Sequence, residues 1–214
     1  MVLEMKNNIA IIANGTIRNI NFHKKLLENI NTIICADGGS NTAKLMNITP
    51  DYIIGDLDSV EPTLINFFKN QYKTKIIYNN DQDKTDLELA ITLAESLDPN
   101  EILILGAIGD RIDHTLANIL CLTYIQPKVK AKIIDEKNTI ELVENSMDIF
   151  GNKNDIVSIV PLTDIFGLTY SGMKWLLSNK DIKFGWFGIS NKLSEKKANI
   201  SLTEGKLLVI RVRE

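Results

Sequence analysis

The chain has 214 residues, of which 44% are hydrophobic and 24% are charged, and 27 acidic against 24 basic side chains give a net charge of -3. This composition is typical of globular proteins, so it excludes a disordered or fibrous chain, and the near-neutral balance argues against a general nucleic-acid surface. No apolar segment approaches the roughly 20 residues that a membrane-spanning helix needs.

The first 135 residues alternate short apolar segments, typical of strands, with longer helical patterns. Strands are predicted at 9–13, 32–36, 52–54, 75–78, 102–105 and 131–134, and helices from about 23 and at 42–46, 62–69, 86–96 and 115–125. Strands that are apolar at successive positions are covered on both faces. The pattern therefore predicts a three-layer α/β/α domain at 1–135 with a mostly parallel sheet.

After about residue 135 the pattern changes to closely spaced strands without a convincing amphipathic helix. Strands are predicted at 139–143, 155–161, 167–170, 183–189, 198–202 and 207–212. The turn residues 203–206 predict a hairpin between the last two strands. We therefore expect a second domain at 136–214, an antiparallel β-sandwich or barrel.

The cysteine usage and the start of the chain favour a cytoplasmic protein. Cys35 and Cys121 lie in separate apolar segments without metal-thiolate spacing, so we expect both to be reduced core residues. The start MVLEMKNN lacks the basic-then-apolar pattern of a signal peptide. His23 lies in a polar helical segment and is expected at the surface.

The aspartates are unevenly distributed, because ten of the fifteen lie between residues 37 and 113. Most of them fall in four turns that each follow a predicted strand and precede a helix. Ligands bind at the carboxyl ends of strands in open parallel sheets. In the first turn, 36–41, Gly38 and Gly39 permit close approach of the backbone to an anion, although such a pair is more often only a turn.

The second turn, 55–59, carries two carboxylates. In an extended segment Asp56 and Asp58 point the same way while Leu57 points back into the protein. Two carboxylates, with water and phosphate as the other ligands, are typical of Mg²⁺ bound to a nucleotide. The alternative is a solvated acidic loop.

The third and fourth turns add further charged residues. Thr85 and Glu88 fit a capping box, which leaves the charged segment 81–84 unexplained. In the fourth turn, 106–114, Arg111 could fork onto phosphate oxygens with His114 on the same side of the following helix. Asp110 or Asp113 is alternatively an N-cap.

Together the four turns favour a Mg²⁺-nucleotide site on one sheet edge, although neither G-x-x-x-x-G-K-[ST] nor G-x-G-x-x-G is present. Two other hypotheses remain open. In a DxD glycosyltransferase, Asp56 and Asp58 would bind Mn²⁺ and a sugar nucleotide. A non-catalytic nucleotide-sensing module would use the same pocket without transferring phosphate.

The motifs also resemble those of a known family. The segments ADGGSN (36–41), GDLDS (55–59), DQDKTDLELA (81–90) and G-x-x-G-x-R-x-D-H (106–114), followed by GMKWL (172–176), FG (184–185) and SN (190–191), resemble the thiamine pyrophosphokinase family. The resemblance implies a catalytic α/β domain followed by a thiamine-binding β-sandwich. It also implies a homodimer with the thiamine site at the subunit interface, and transfer of the pyrophosphoryl group of ATP to the hydroxyl of thiamine.

The resemblance further implies roles for individual residues. The metal set is Asp56, Asp58 and Asp86, with Asp37 nearby, and the catalytic set is Asp56, Asp58, Asp86 and Arg111. The nucleotide and phosphate set is Gly38, Gly39, Gln82, Asp83, Lys84, Thr85, Gly106, Arg111, Asp113 and His114. The thiamine set is Trp175, Ser190 and Asn191. Asp86 or His114 could accept the proton of the alcohol, and a strong base is not obligatory.

Overall fold

The computed structural model describes residues 6–213. Part of the start of the chain, where the sequence has no signal-peptide pattern, lies outside the described residues. The chain divides into two compact units, Met1–Glu136 (unit 1) and Lys137–Glu214 (unit 2). No helix in the described part is long and apolar enough to cross a membrane.

Unit 1 alternates strands and helices. Its elements are β1 (Asn8–Ile12), α1 (Ile20–Leu26), β2 (Thr32–Ala36), α2 (Gly39–Leu45), β3 (Tyr52–Gly55), α3 (Pro62–Tyr72), β4 (Lys75–Tyr78), α4 (Asp86–Ser96), β5 (Glu101–Leu105), α5 (Ile112–Leu120), a 3₁₀ helix (Cys121–Tyr124) and β6 (Lys130–Ile134). The strands lie in the order β6-β5-β1-β2-β3-β4, and the neighbouring pairs are parallel. The predicted α/β architecture with a mostly parallel sheet is confirmed.

The central strand β1 is buried on both faces. Its residues Ile9, Ala10, Ile11 and Ile12 are all 0% exposed. Because successive side chains of a strand point to opposite faces, the sheet is covered on both sides here. Fully burying an isoleucine contributes about 1.5–3 kcal/mol, so β1 is a main source of stability in unit 1. The cysteines follow their prediction, since Cys35 and Cys121 are both free and buried.

The prediction that His23 lies at the surface is wrong, because its side chain is fully buried. Its Nδ1 lies 3.0 Å from the carbonyl oxygen of Asn19 and 3.6 Å from Oε1 of Glu136. The same Glu136 oxygen accepts hydrogen bonds from the backbone N–H groups of Arg18 and Asn19. Burial alone would raise the pKa of Glu136, but these N–H donors hold the pKa below its usual value. A partner more than a hundred residues away cannot be seen in the local helical pattern.

Among the described residues of unit 2, 137–213, the regular elements are all strands. They are β7 (Asn138–Val143), β8 (Ser146–Phe150), β9 (Ile156–Pro161), β10 (Ile165–Ser171), β11 (Leu177–Ile182), β12 (Gly188–Lys192), β13 (Lys197–Ser201) and β14 (Leu207–Val212). They form two antiparallel groups, β12-β9-β14-β7 and β11-β10-β13-β8. Side chains from both groups, such as Val157 and Val209 from one and Leu168 and Ile200 from the other, share one buried core. The predicted β-sandwich is therefore confirmed.

The predicted hairpin at 203–206 is wrong. Strand β13 pairs with β8 and β10, whereas β14 pairs with β7 and β9, so the connection crosses from one sheet to the other. On the way Glu204 forms an isolated bridge with Phe166, and the N–H of Lys206 donates to Oγ1 of Thr163. Turn residues indicate that the chain changes direction, but they do not determine which strand it then joins.

One further strand prediction in unit 2 is wrong, and two strands were missed. Strands β8 and β11 were not expected, and the segment predicted as a strand at 183–189 becomes regular only at Gly188. Strand β11 lies at the edge of its sheet and four of its six residues are exposed, so it lacks the apolar alternation on which the prediction depends.

Candidate active site

The four acidic or glycine-rich turns lie at the carboxyl ends of neighbouring strands. They follow β2, β3, β4 and β5, and a fifth turn, Asn14–Thr16, follows β1. Because these five strands are parallel neighbours in one sheet, all five turns lie along one edge. The edge therefore carries most of the polar side chains that the sequence predicts for the site.

Four carboxylates form an acidic cluster, which we define as Asp37, Asp56, Asp58 and Asp86. Oxygens of Asp37, Asp56 and Asp58 lie within 4.8 Å of one another. Burial, followed by the negative charges of these three side chains, raises the pKa of Asp86 to about 6. Burial also raises the pKa of Asp37, whose Oδ1 is buried without a hydrogen-bond partner among residues 6–213. Carboxylates that repel one another, one of them with a buried oxygen that has no hydrogen-bond donor, are suited to a bound cation.

The cluster forms through a turn and not through the extended segment that the sequence suggests. Leu57 adopts φ +63°, and its side chain packs against the core of unit 1 while Asp56 and Asp58 still converge. Gly55, at φ +145°, leaves the space that the cluster needs. A Cβ at this position would lie 2.6 Å from Oδ1 of Asp86. Convergence was thus predicted correctly, but its geometric cause was not.

The third turn places Asp86 at the start of α4. The predicted capping box is present, because Oγ1 of Thr85 accepts from the N–H of Glu88 and Oε2 of Glu88 accepts from the N–H of Thr85. Asp83 in the same turn is exposed, and its N–H donates to Oδ1 of Asp81. The cap fixes the first turn of the helix, so the backbone of Asp86 is held close to the other three carboxylates of the cluster.

A cavity of about 560 Å³ in unit 1 adjoins the cluster. Predicted residues that line it are Asp56, Gln82, Lys84, Thr85, Asp86, Arg111 and His114. The other predicted residues of unit 1, which are Asp37, Gly38, Gly39, Asp58, Asp83, Gly106 and Asp113, are not part of its lining. Gly39 instead permits close packing of α2 on the sheet, since a Cβ there would lie 1.9 Å from the carbonyl oxygen of Ile12.

The fourth turn holds Arg111 in an ion pair. Nε and Nη2 of Arg111 donate to the two carboxylate oxygens of Asp113 at 2.9 Å and 2.6 Å. This pairing lowers the pKa of Asp113. The N-cap residue of α5 is Arg111 itself, without a side-chain cap, so the predicted N-cap role of Asp110 or Asp113 is wrong. Exposed ion pairs contribute little to stability, so the guanidinium of Arg111 can release Asp113 and bind another anion through two acceptor oxygens.

Several residues of the cavity were missed by the sequence reasoning. They are Asn14, Gly15 and Thr16 after β1, Asn79 and Asn80 after β4, and Thr115 and Asn118 on α5. Asn14 and Gly15 directly follow the predicted strand 9–13. Like the four turns, they therefore lie at the carboxyl end of a strand, where ligands bind in open parallel sheets. They were overlooked because they carry no charge. Asn118 donates from Nδ2 to the carbonyl oxygen of Ala107 and so supports the turn after β5.

In unit 2 the structure brings Trp175 and Asn191 together. Trp175 lies between β10 and β11 and is 53% exposed, so it is neither a strand residue nor a core residue. Asn191, on β12, is 5% exposed, and its side chain bonds to the backbone of Trp175. The neighbouring Ser190 adopts φ +61°, and its N–H donates to Oγ of Ser158.

Both units match models of one protein family. The model "Thiamin pyrophosphokinase, catalytic domain" matches residues 23–134, and "Thiamin pyrophosphokinase, vitamin B1 binding domain" matches residues 137–207. The chain belongs to the thiamine pyrophosphokinase family. The motifs that suggested this family from the sequence lie within these two matches.

Relatives of known identity agree with this assignment to the thiamine pyrophosphokinase family. The chain is 32% identical to thiamine pyrophosphokinase of Bacillus subtilis over 83% of this chain and 86% of that protein. It is 27% identical to thiamine pyrophosphokinase 1 of Arabidopsis thaliana over 90% and 82% of the two chains. The crystal structure of the Bacillus subtilis thiamine pyrophosphokinase superposes with a TM-score of 0.86 and 29% identity, covering 97% of this chain and 100% of that one.

Replacing Asp86 by Asn is expected to stabilise the metal-free protein. The pKa of Asp86 is raised from 3.8 to about 6 in the folded chain, so the folded state binds the proton more tightly than the unfolded state. Stability therefore falls as the pH rises from about 4 to about 6 and stays lower above it. Removing the charge should add about 1–2 kcal/mol at pH 7.5, after allowance for solvent screening.

Thermal unfolding with a chelator at pH 5 and pH 7.5 measures this effect. The wild type should unfold at a lower temperature at pH 7.5 than at pH 5, and Asp86→Asn should reduce the difference. Asp98→Asn is the matched control, because Asp98 is exposed and pairs with Lys128. If Asp86→Asn were no more stable than the wild type at pH 7.5, the destabilisation of the Asp86 carboxylate by burial and by the neighbouring negative charges would be refuted.

Proposed function

We propose that this chain transfers the terminal pyrophosphoryl group of ATP to the hydroxyl of thiamine, giving thiamine diphosphate and AMP in a Mg²⁺-dependent reaction. The observation that carries the proposal is the acidic cluster beside the 560 Å³ cavity, in a chain that belongs to the thiamine pyrophosphokinase family. The volume lies within the roughly 300–1,000 Å³ typical of small-molecule sites.

The acidic cluster fits Mg²⁺, which prefers oxygen ligands. Asp56, Asp58 and Asp86 would hold the ion, with Asp37 nearby. The unpartnered buried Oδ1 of Asp37 and the raised pKa of Asp86 both indicate negative charge without compensation. When bound, Mg²⁺ supplies positive charge to the phosphate oxygens and fixes their orientation.

Residues around the cavity would bind the nucleotide by charge and by hydrogen bonds. Arg111 would exchange the carboxylate of Asp113 for phosphate oxygens, with Lys84 adding a second positive charge. Phosphoryl transfer depends mainly on position and electrostatic stabilisation, so these groups would contribute more than a strong base. Asp86 and His114 both line the cavity, and either could accept the proton from thiamine's hydroxyl.

Thiamine would stack on Trp175 in unit 2. Thiamine contains a cationic thiazolium, and aromatic faces attract cations. Nζ of Lys174 already lies 4.7 Å from the centroid of the Trp175 ring, so this face is accessible to positive charge. Ser190 and Asn191 belong to the same proposed thiamine site.

We further propose a cytoplasmic homodimer with the thiamine site at the subunit interface. Large apolar side chains in the segment 175–189 of unit 2 are more than half exposed, which is typical of surfaces that bind another protein. They are Trp175, Leu176, Phe184, Phe187 and Ile189. The two free cysteines are consistent with a reducing compartment. The measurement that tests the assembly is the molar mass in solution.

Product analysis tests the proposed reaction. Incubation with thiamine, ATP and Mg²⁺ should give AMP and thiamine diphosphate in equal amounts, and omitting thiamine should leave ATP unchanged. Formation of ADP, or no turnover with thiamine present, would contradict the proposal. The glycosyltransferase hypothesis accounts for one of the four turns, and neither it nor the sensing module is supported by the family comparisons.

A further inference from the structure

We propose that Asn191 is a positioning residue, which holds the backbone of Trp175 in the orientation that binds thiamine and makes no contact with thiamine itself. The inference rests on the proposed function, since it concerns the proposed thiamine site. It changes the role expected for Asn191, which the sequence resemblance places among the thiamine ligands.

The first argument is that the Asn191 amide is almost fully used within the protein. Its Oδ1 accepts from the N–H of Trp175 at 3.1 Å and from the N–H of Lys192 at 2.8 Å. Its Nδ2 donates to the carbonyl oxygen of Trp175 at 2.8 Å. A carboxamide has two acceptor positions and two N–H donors, so a single N–H remains. With the residue only 5% exposed, little capacity is left for a ligand.

The second argument concerns how Asn191 comes to face inward. The pairing of β12 with β9 shifts in register between Gly188 and Asn191, and Ser190 at φ +61° lies within this irregularity. The N–H of Ser190 donates to Oγ of Ser158 on β9 at 3.0 Å. Such a bulge re-aims the side chains that follow it. The hydroxyl of Ser158 therefore supports the conformation that buries the Asn191 amide.

The third argument is that the Trp175 ring, although Nζ of Lys174 lies over it, has little packing to fix its position. Its side chain is 53% exposed, and the next residue, Leu176, is 68% exposed. The preceding residues are well anchored, because buried Met173 bridges to Leu193 and the N–H of Lys174 donates to the carbonyl oxygen of Lys192. The Asn191 amide extends this attachment by one residue. A tryptophan held in this way is pre-organised, so less conformational freedom is lost on binding.

The experiment measures Asn191→Ala alone and together with Trp175→Ala. Asn191→Ala should raise the thiamine KM about 10-fold with kcat nearly unchanged, because it would weaken binding in ground and transition states alike. In the Trp175→Ala background it should have no further effect. Additive losses of thiamine affinity would mean that Asn191 contacts thiamine independently, and would overturn the inference.

Fluorescence of Trp175 gives a second readout without any turnover. The chain has two tryptophans, so Trp186→Phe leaves Trp175 as the sole reporter. In that background Asn191→Ala should lower the fluorescence anisotropy and at least double the rate of quenching by acrylamide. Asn199→Ala is the matched control, because Asn199 bonds to Asp148 and Met147 in the same unit. Equal anisotropy in Asn191→Ala and the control would also overturn the inference.

Two further variants keep the inference testable if Asn191→Ala does not fold or if the proposed function is wrong. If Asn191→Ala does not fold, Ser158→Ala removes only the acceptor for Ser190 and should produce a smaller change of the same sign. Asn191→Asp keeps the two acceptor bonds but loses the donor, so it should recover part of the anisotropy. If Trp175→Ala left thiamine affinity unchanged, the proposed thiamine site would fail, whereas the fluorescence result would still report whether Asn191 orders Trp175.

Discussion

Replacing Asp56 by Asn should lower kcat/KM by about 10²–10³-fold and raise the Mg²⁺ concentration needed for half-maximal activity. Asparagine keeps the shape of the side chain but removes one negative charge from the acidic cluster. Asp56 belongs to the acidic cluster and also lines the cavity. Its replacement should therefore weaken the binding of both Mg²⁺ and the nucleotide. Steady-state rates at a series of Mg²⁺ concentrations measure both effects.

Asp98→Asn is again the matched control for this substitution. It makes the same chemical change in the same unit, at an exposed residue paired with Lys128 and outside the cavity lining. It should leave the rate and the Mg²⁺ dependence unchanged. An unaltered Mg²⁺ titration for Asp56→Asn would remove Asp56 from the metal site, even if the rate fell.

Replacing Trp175 by Ala should weaken thiamine binding by about 1–3 kcal/mol, the range measured when an aromatic platform under a stacked base is removed. The exposed ring can be deleted without opening a cavity in the core, because Trp175 is 53% exposed. Thiamine affinity from titration calorimetry and the midpoint of thermal unfolding separate binding from stability.

Phe150→Ala provides the comparison for Trp175→Ala. Phe150 is a similarly exposed aromatic residue of unit 2, with Nζ of Lys197 5.6 Å from its ring centroid. The substitution Phe150→Ala should not alter thiamine affinity. Should Trp175→Ala lower stability and leave the affinity intact, Trp175 would have a structural role only.

The sequence predicts unit 1 well where the determinants are local. The bounds of β2, β4 and α4 agree with the structure, because apolar runs and a capping box lie within the segments themselves. His23 was misjudged because its burial depends on Glu136 at the other end of the unit. In unit 2 the pairing of β13 and β14 with different partners is set by the whole core, and no local turn pattern specifies it.

The acidic part of the candidate site could be predicted because charge is visible in a sequence. The turns that carry Asp56 and Asp86 meet at one edge simply because parallel strands end together. The uncharged Asn14 was missed although it lies at the same edge. The left-handed Leu57 was missed as well, because a non-glycine residue at positive φ leaves little trace in the sequence. The individual roles of the site residues stay a prediction.

The position of β1 in the middle of its sheet has a consequence for how the chain is synthesised. β1 is synthesised before both of its partners and can pair early with β2, but its other neighbour, β5, begins only at Glu101. At roughly 5–20 residues per second, several seconds of translation separate the two partners. During that interval the nascent chain presents one edge of β1, an apolar strand, without a partner. Release of the chain before residue 105 would thus leave an aggregation-prone fragment, and only the completed β5 closes this edge.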